Sequence, residues 1–203
     1  MTCWHELWPI IEEIGAERSV HRIDRSRHNG VAVDQNTVDK LVSEFIQTVA
    51  RAIILPRSPE DAKVGSSVFE LRAEKLVCTH HWSPNLAERV VDRLSFVISP
   101  EVAADVIVVK SVLTERIERG AVRPLSRDQK GVSGEVPQTL TYVIAAPMLD
   151  DGGKVRGAWG FDTSADVGEM VLKHEMSDTV MYQAGVHISN MLGLTNPECD
   201  ATI

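Results

Sequence analysis

Cys78-Thr79-His80-His81-Trp82 is the stretch of this 203-residue chain richest in reactive groups, with a thiol, two imidazoles and an indole in five positions. On an extended strand side chains alternate, so Cys78, His80 and Trp82 are expected on one face and Thr79 and His81 on the other. Cys78 and His80 then stand roughly 6–7 Å apart, near enough to share a ligand or a metal ion. The chemistry open to such a pair is thiol-dependent reduction or metal-assisted hydrolysis. Two ligands make no zinc site, however, since three or four are needed. A cysteine in an apolar strand also serves as a small core residue, with a hydrogen-bonded histidine beside it.

Arg116, Arg119, Arg123, Arg127 and Lys130 form a basic run mixed with Glu115, Glu118 and Asp128. At a pocket mouth they could receive a carboxylate or phosphate by bidentate pairing. Alternating signs equally mark a solvated helix end. His174-Glu175-Met176-Ser177-Asp178 opens like a zinc-protease helix but lacks the second histidine. Met170, Met176, Met181 and Met191 suit either core filling or an adaptable partner surface. Trp4, Leu7, Trp8, Ile11 and Ile14 make an apolar stripe that must dock on something. Its Glu6, Glu12 and Glu13 argue against an anionic membrane surface.

These groups need a scaffold, and composition bounds it. Hydrophobic residues are 43% and charged residues 25%, with a formal net charge of −8. That is a globular composition, which excludes a disordered chain, a collagen-like repeat and a basic protein that neutralises nucleic-acid phosphates. No apolar run approaches the ~20 residues that span a bilayer, and the N-terminus has no secretory pattern. A cytoplasmic protein is expected. The three cysteines, Cys3, Cys78 and Cys199, are too few and too scattered for a disulfide framework. Arg18, Arg22, Arg25 and Arg27 against Asp24 mark a linker, which sets an N-terminal extension at 1–33, a main domain at 34–195 and a tail at 196–203.

Three helices and two hairpins follow from periodicity. Over residues 37–54, Val38, Leu41, Val42, Phe45, Ile46, Val49 and Ile53 form one stripe, with Asn36 as expected cap and Pro56 beyond the end. A second helix is expected over 100–120, opened by Ser99-Pro100 and closed by Gly120. A third is expected over 169–192, stopped by Gly193. Residues 67–71 and 76–82 read as one hairpin, and 139–149 and 155–162 as another around Asp150-Asp151-Gly152-Gly153, with a short strand at 121–125. Gly157 and Gly160 would weaken a central strand unless something packs closely there, and Pro147 belongs at a strand end or bulge. Asp162 can cap the Thr163-Ser164 turn. Antiparallel hairpins with helices at both ends predict an α+β sandwich.

Thr141-Tyr142-Val143-Ile144-Ala145-Ala146-Pro147-Met148, the turn to Lys154, and Val155-Arg156-Gly157-Ala158-Trp159-Gly160-Phe161-Asp162 resemble the last hairpin of GAF domains. That family has an Ala-x-Pro-hydrophobic step, a Gly-Gly-Lys turn, a strand with Gly-x-x-x-Phe-Asp, and a long C-terminal helix. The resemblance implies a central antiparallel sheet of about five or six strands. The terminal helices would cover one face, and a mid-chain helix and loops would close a ligand pocket on the other. It also implies a small-molecule sensor that forms a homodimer through its terminal helices, without fixing a cofactor; no nucleic acid or membrane partner is expected from the acidic composition and the lack of a long apolar run. The chain leaves no room for an output module, so signalling is expected to pass to a separate protein by reordering of residues 83–135. Expected pocket residues are Cys78, His80, Trp82, Phe96, Arg116, Tyr142 and Trp159, the last two because each has an apolar body and a polar tip.

The enzymatic alternative is a relative of the free methionine sulfoxide reductases centred on Cys78 and His80. Those enzymes cycle neighbouring cysteines, and only Cys78 lies inside the domain. A bilin-carrying cysteine would be followed by histidine rather than Thr79, and the phosphodiesterase signature Asn-Lys-x-Phe-Asp-Glu is absent. The third alternative is a pure interaction module whose functional surface is the tryptophan-bearing N-terminus.

Overall fold

A computed structural model describes residues 34–51, 63–84, 94–122, 125, 130–134, 142–150, 152–163 and 178–193. The stripe with Trp4 and Trp8, Cys3, Cys199, Arg123, Arg127, Asp128, His174, the 169–177 start of the last helix and the boundaries at 33 and 195 lie outside these residues.

The first helix, α1 (Gln35–Val49), forms because its apolar residues recur every three or four positions. Val38, Val42, Phe45, Ile46 and Val49 are all buried along one side. Its cap is Asp34 rather than Asn36: an Asp34 carboxylate oxygen accepts from the Thr37 N–H at 3.3 Å. A carboxylate satisfies an orphan donor and also meets the positive helix end, which an amide does not.

Strands β1 (Val64–Arg72) and β2 (Lys75–Trp82) make the first hairpin, and β6 (Tyr142–Leu149) and β7 (Val155–Thr163) the second. Between them lie β3 (Ser95–Val97), β4 (Glu118–Ala121) and β5 (Val132–Ser133). All pair antiparallel in one sheet of seven strands, ordered β4-β6-β7-β1-β2-β3-β5. The count exceeds the expected five or six because two short strands extend the edges.

One of those edges replaces part of the expected 100–120 helix. Ser99 and Pro100 do open a helix, but only α2 (Pro100–Ala103), and after a turn α3 (Ile107–Thr114) begins. Glu115 then takes a left-handed conformation, with φ 55°. The Ser111 hydroxyl donates to the Arg116 carbonyl at 2.7 Å and so secures the reversal. The chain turns back as β4 and pairs with β6. Valine and isoleucine run through this segment, and such residues favour strands over helix.

The sheet is covered on both faces. On the first face α1 packs beside α4 (Asp178–Leu192), and Val68, Ile144, Trp159 and Phe161 meet Phe45, Ile46, Met181 and Ile188 in one core. On the second face α2 and α3 cover Phe69, Leu76, Cys78 and Phe96. This is the α+β sandwich the sequence predicts, with terminal helices opposite the mid-chain ones. Gly185 lets α4 approach closely: a Cβ there would stand 3.1 Å from the Pro147 carbonyl and 3.3 Å from the Trp159 ring.

The β6–β7 turn is closed by one carboxylate. Asp150 accepts from the N–H groups of Gly152 and Lys154, both at 2.9 Å, and from Nε of Arg156 at 2.8 Å. The Lys154 N–H, and then the Arg156 guanidinium, hold its pKa below the ordinary carboxylate value. A depressed folded-state pKa stabilises above the unfolded pKa and loses that contribution as pH falls through the folded one. Asp150→Asn is therefore expected to lower the urea midpoint at pH 7, with the difference from wild type closing as pH drops below about 4. A difference unchanged down to pH 3 would show that the charge plays no part.

Candidate functional site

The chemistry-rich stretch lies on β2, but its face pattern is not the one alternation predicts. Val68 pairs with His80 and Phe69 with Cys78, so Thr79 is an extra residue bulged out of β2. The bulge resets the alternation. Cys78 stays in the second-face core beside Phe69 and Phe96, while His80 turns to the first face opposite Val68. The expectation that Cys78 and His80 share a face is thus overturned by one inserted residue.

Each of the two has a local role. The Cys78 thiol, 6% exposed, donates to the His80 carbonyl at 3.5 Å. The His80 ring contacts the Thr79 hydroxyl through Nδ1 at 3.0 Å, and Nε2 stands 3.3 Å from an Asp39 carboxylate oxygen on α1. Burial lowers the His80 pKa, opposed by the Asp39 charge. The pair acts as a clip between α1 and the sheet. Among the described residues no group of three or more His, Cys, Asp or Glu side chains could hold a metal.

The other expected pocket residues also divide between the faces. Trp159 is fully buried in the first core, where its indole N–H donates to the Met181 carbonyl at 2.9 Å. Its ring meets Phe161 edge-on at 5.1 Å. Tyr142 lies in the same core, and Trp82 packs at its margin with the Arg51 guanidinium 5.8 Å above the ring. Phe96 lies on the second face against Phe69. Arg116 is exposed at the turn after α3. Of the basic run, Arg119 pairs with Asp178 of α4, and Lys130 is exposed. Only Cys78 and Phe96 therefore stand together on the face where a pocket was expected.

What the second face offers instead is a floor of small residues near the open ends of β1 and β7. Register places Gly65 and Ser67 of β1 beside Asp162 and Gly160 of β7, all on the side of Phe69 and Ala158. Beyond the bulge His81 returns to this side, and its Nδ1 meets the Ser67 hydroxyl at 2.9 Å. Gly160 has no room for a side chain, since a Cβ would strike the Ile144 carbonyl. Asp162 is 9% exposed, and no hydrogen bond reaches its carboxylate among the described residues. The turn it was expected to cap runs into residue 164, outside the described residues. The two Asp162 oxygens lie over Gly65, 2.6 and 2.7 Å from where a Cβ would be.

Burial without a partner penalises the charged form and pushes Asp162 up to about 7. Sequence reasoning missed Ser67, His81 and the exposure of Asp162 to this face. Gly65, Ser67 and Gly160 recurring at strand spacing were the available signal. A separate shallow depression of about 280 Å³ lies on α4, lined by Tyr182, Gln183, Val186 and His187.

A single antiparallel sheet carrying its terminal helices on one face and its mid-chain helices on the other defines the class as a two-faced α+β sandwich. No family model and no curated protein matches the sequence. Solved structures do. One is the GAF domain of a phosphoenolpyruvate-protein phosphotransferase from Acinetobacter, at TM-score 0.53 and 11% identity over 93% of each chain. Another is the GAF domain of a phosphoenolpyruvate-protein phosphotransferase from Coxiella burnetii, at TM-score 0.50 and 8% identity, covering 93% of this chain and 98% of that one. The chain has the GAF-domain fold.

Two substitutions separate site from scaffold. The native state keeps a proton on Asp162 that the unfolded chain, at 3.8, has already released. Stability is therefore expected to fall as pH rises from about 4 to about 7 and then to level, by up to ~4 kcal/mol. Asp162→Asn is expected to flatten that slope in urea titrations between pH 5 and 8, and an unchanged slope would assign it to another group. Trp159→Phe removes the hydrogen bond to Met181 and is expected to cost about 1–3 kcal/mol in the same assay. A neutral result would deny Trp159 its role in the core.

Proposed function

We propose that this chain is a sensory domain that binds a small molecule on the second sheet face, above Gly65, Ser67, His81, Gly160 and Asp162. The reading rests on Asp162, a carboxyl group nine-tenths buried without a hydrogen-bond partner among the described residues. Desolvation disfavours the charged form of this carboxyl group, and a guest that donates to it would restore the missing bond. The small residues around it keep the floor low, and the Ser67–His81 pair supplies a second polar contact.

Transmission follows from the strand that carries the site. Asp162 faces the guest, while its neighbour Phe161 and Trp159 pack beneath α1 and α4. A ligand that fixes β7 would alter how those helices sit. Output would pass from α1 and α4 to a second copy of the chain and to a separate partner protein in the cytoplasm. The outer side of α4 supports this, because Val186 there is 40% exposed. Among the described residues no helix is long and apolar enough to cross a membrane.

Native mass spectrometry after incubation with a filtrate of small cellular metabolites tests the reading. Wild-type protein is expected to retain a small-molecule mass that Asp162→Asn does not, on a particle of two subunits. Bare polypeptide mass in both proteins would overturn the binding proposal, and a single-subunit particle would overturn the dimer.

A further inference from the structure

Resting on the assignment of the second sheet face as the binding site, we propose that the guest is an organic cation whose protonated nitrogen is received by the Asp162 carboxylate, with the Ser67–His81 pair contacting a second polar group. Both carboxylate oxygens lead toward β1, since a Cβ on Gly65 would lie closer to them, at 2.6 and 2.7 Å, than to Cγ at 2.9 Å. The acid therefore presents two acceptors side by side over a residue that carries no side chain. Two acceptors in that arrangement match an ammonium or an amidinium with paired N–H donors. Once the carboxyl group is ionised, an anion would meet the same two oxygens and be repelled.

Among the described residues no ion pair reaches Asp162; Lys63, two residues before Gly65 on the same side of the strand, is exposed. Directly across from Asp162 on the flanking strands stand Gly65 and Val143, neither ionisable. Farther along this face are His81 on β2, in contact with Ser67, and Glu118 on β4, held by Lys110 of α3 at 2.7 Å. Lys110 is thus committed to another carboxylate. Diagonal neighbours on adjacent strands stand roughly 7–8 Å apart, which sets Ser67 at about that distance from Asp162. A molecule of a few heavy atoms beyond its nitrogen can reach both. Because burial holds Asp162 near 7, a cation binding at lower pH must displace its proton into solvent.

Three probes of one size and different charge decide the matter: benzamidine as the cation, benzamide as the neutral isostere and benzoate as the anion. Each is titrated into the full chain while the amide resonances of Gly65, Ser67 and Gly160 are followed, with calorimetry in two buffers at pH 6 and pH 8. Benzamidine is expected to saturate these resonances, to release about one proton at pH 6, and to bind about tenfold more weakly at pH 6 than at pH 8. Asp162→Asn is expected to weaken it roughly 10- to 100-fold. Gly65→Ala, which forces the carboxylate to move, is expected to weaken it also.

Benzoate or benzamide binding as well as benzamidine at these strands would keep the site and overturn the cation. The same holds if benzamidine binds without proton release or equally well to Asp162→Asn. If none of the three probes moves those resonances, the site and the cation fall together.

Discussion

Every residue of β1 from Val64 to Phe69 is buried, because the strand lies between β2 and β7 with helices on both sides of the sheet. This double burial is the constraint from which the other features follow. In a sheet covered on one face, polar residues have an outlet to water at every second position. Here neither side provides one, so each polar group on the central strands must find a partner or remain in a costly state. Ser66 donates to the Gly160 carbonyl at 3.2 Å, and Ser67 meets His81. Trp159 sends its N–H to a helix carbonyl. Asp162 stands apart from this pattern, which is why it draws the functional reading.

The two faces perform different work through the same strand. Along β7 the odd-numbered residues Trp159 and Phe161 anchor the terminal helices, and the even-numbered Gly160 and Asp162 form part of the opposite floor. Adjacent residues on a strand are covalently bound to move together. A displacement that acts on Asp162 is felt one peptide later beneath α1 and α4, with no chain of intermediates through the core. The His80–Asp39 contact adds a second tie between β2 and α1.

Much of this architecture was legible in the sequence. The α1 stripe, the two hairpins and the Asp150 turn each express one strong local rule: a 3.6-residue period, a 2-residue period, or a turn that needs a carboxylate and glycines. The bulge was not legible, because Thr79 is an ordinary β-branched strand residue and nothing in its type marks an insertion. That single residue parted Cys78 from His80 and with them the expected site. The break in the 100–120 helix was hidden for a similar reason: Glu115 adopts a left-handed conformation that glycine or asparagine would have advertised. The burial of Asp162 was not legible, since it depends on strand pairing across nearly a hundred residues of chain, between Gly65 and Asp162.

The described sheet ends in two very short strands, four residues in β4 and two in β5. A flat margin with a long row of unused amide and carbonyl groups is a template on which another polypeptide can stack and fibrils can grow. Margins this brief offer few such groups, and β4 carries Glu118 and Arg119, whose charges oppose close stacking of copies. The two added strands that exceed the expected number thereby serve colloidal safety: the domain can loosen locally without becoming a seed for aggregation.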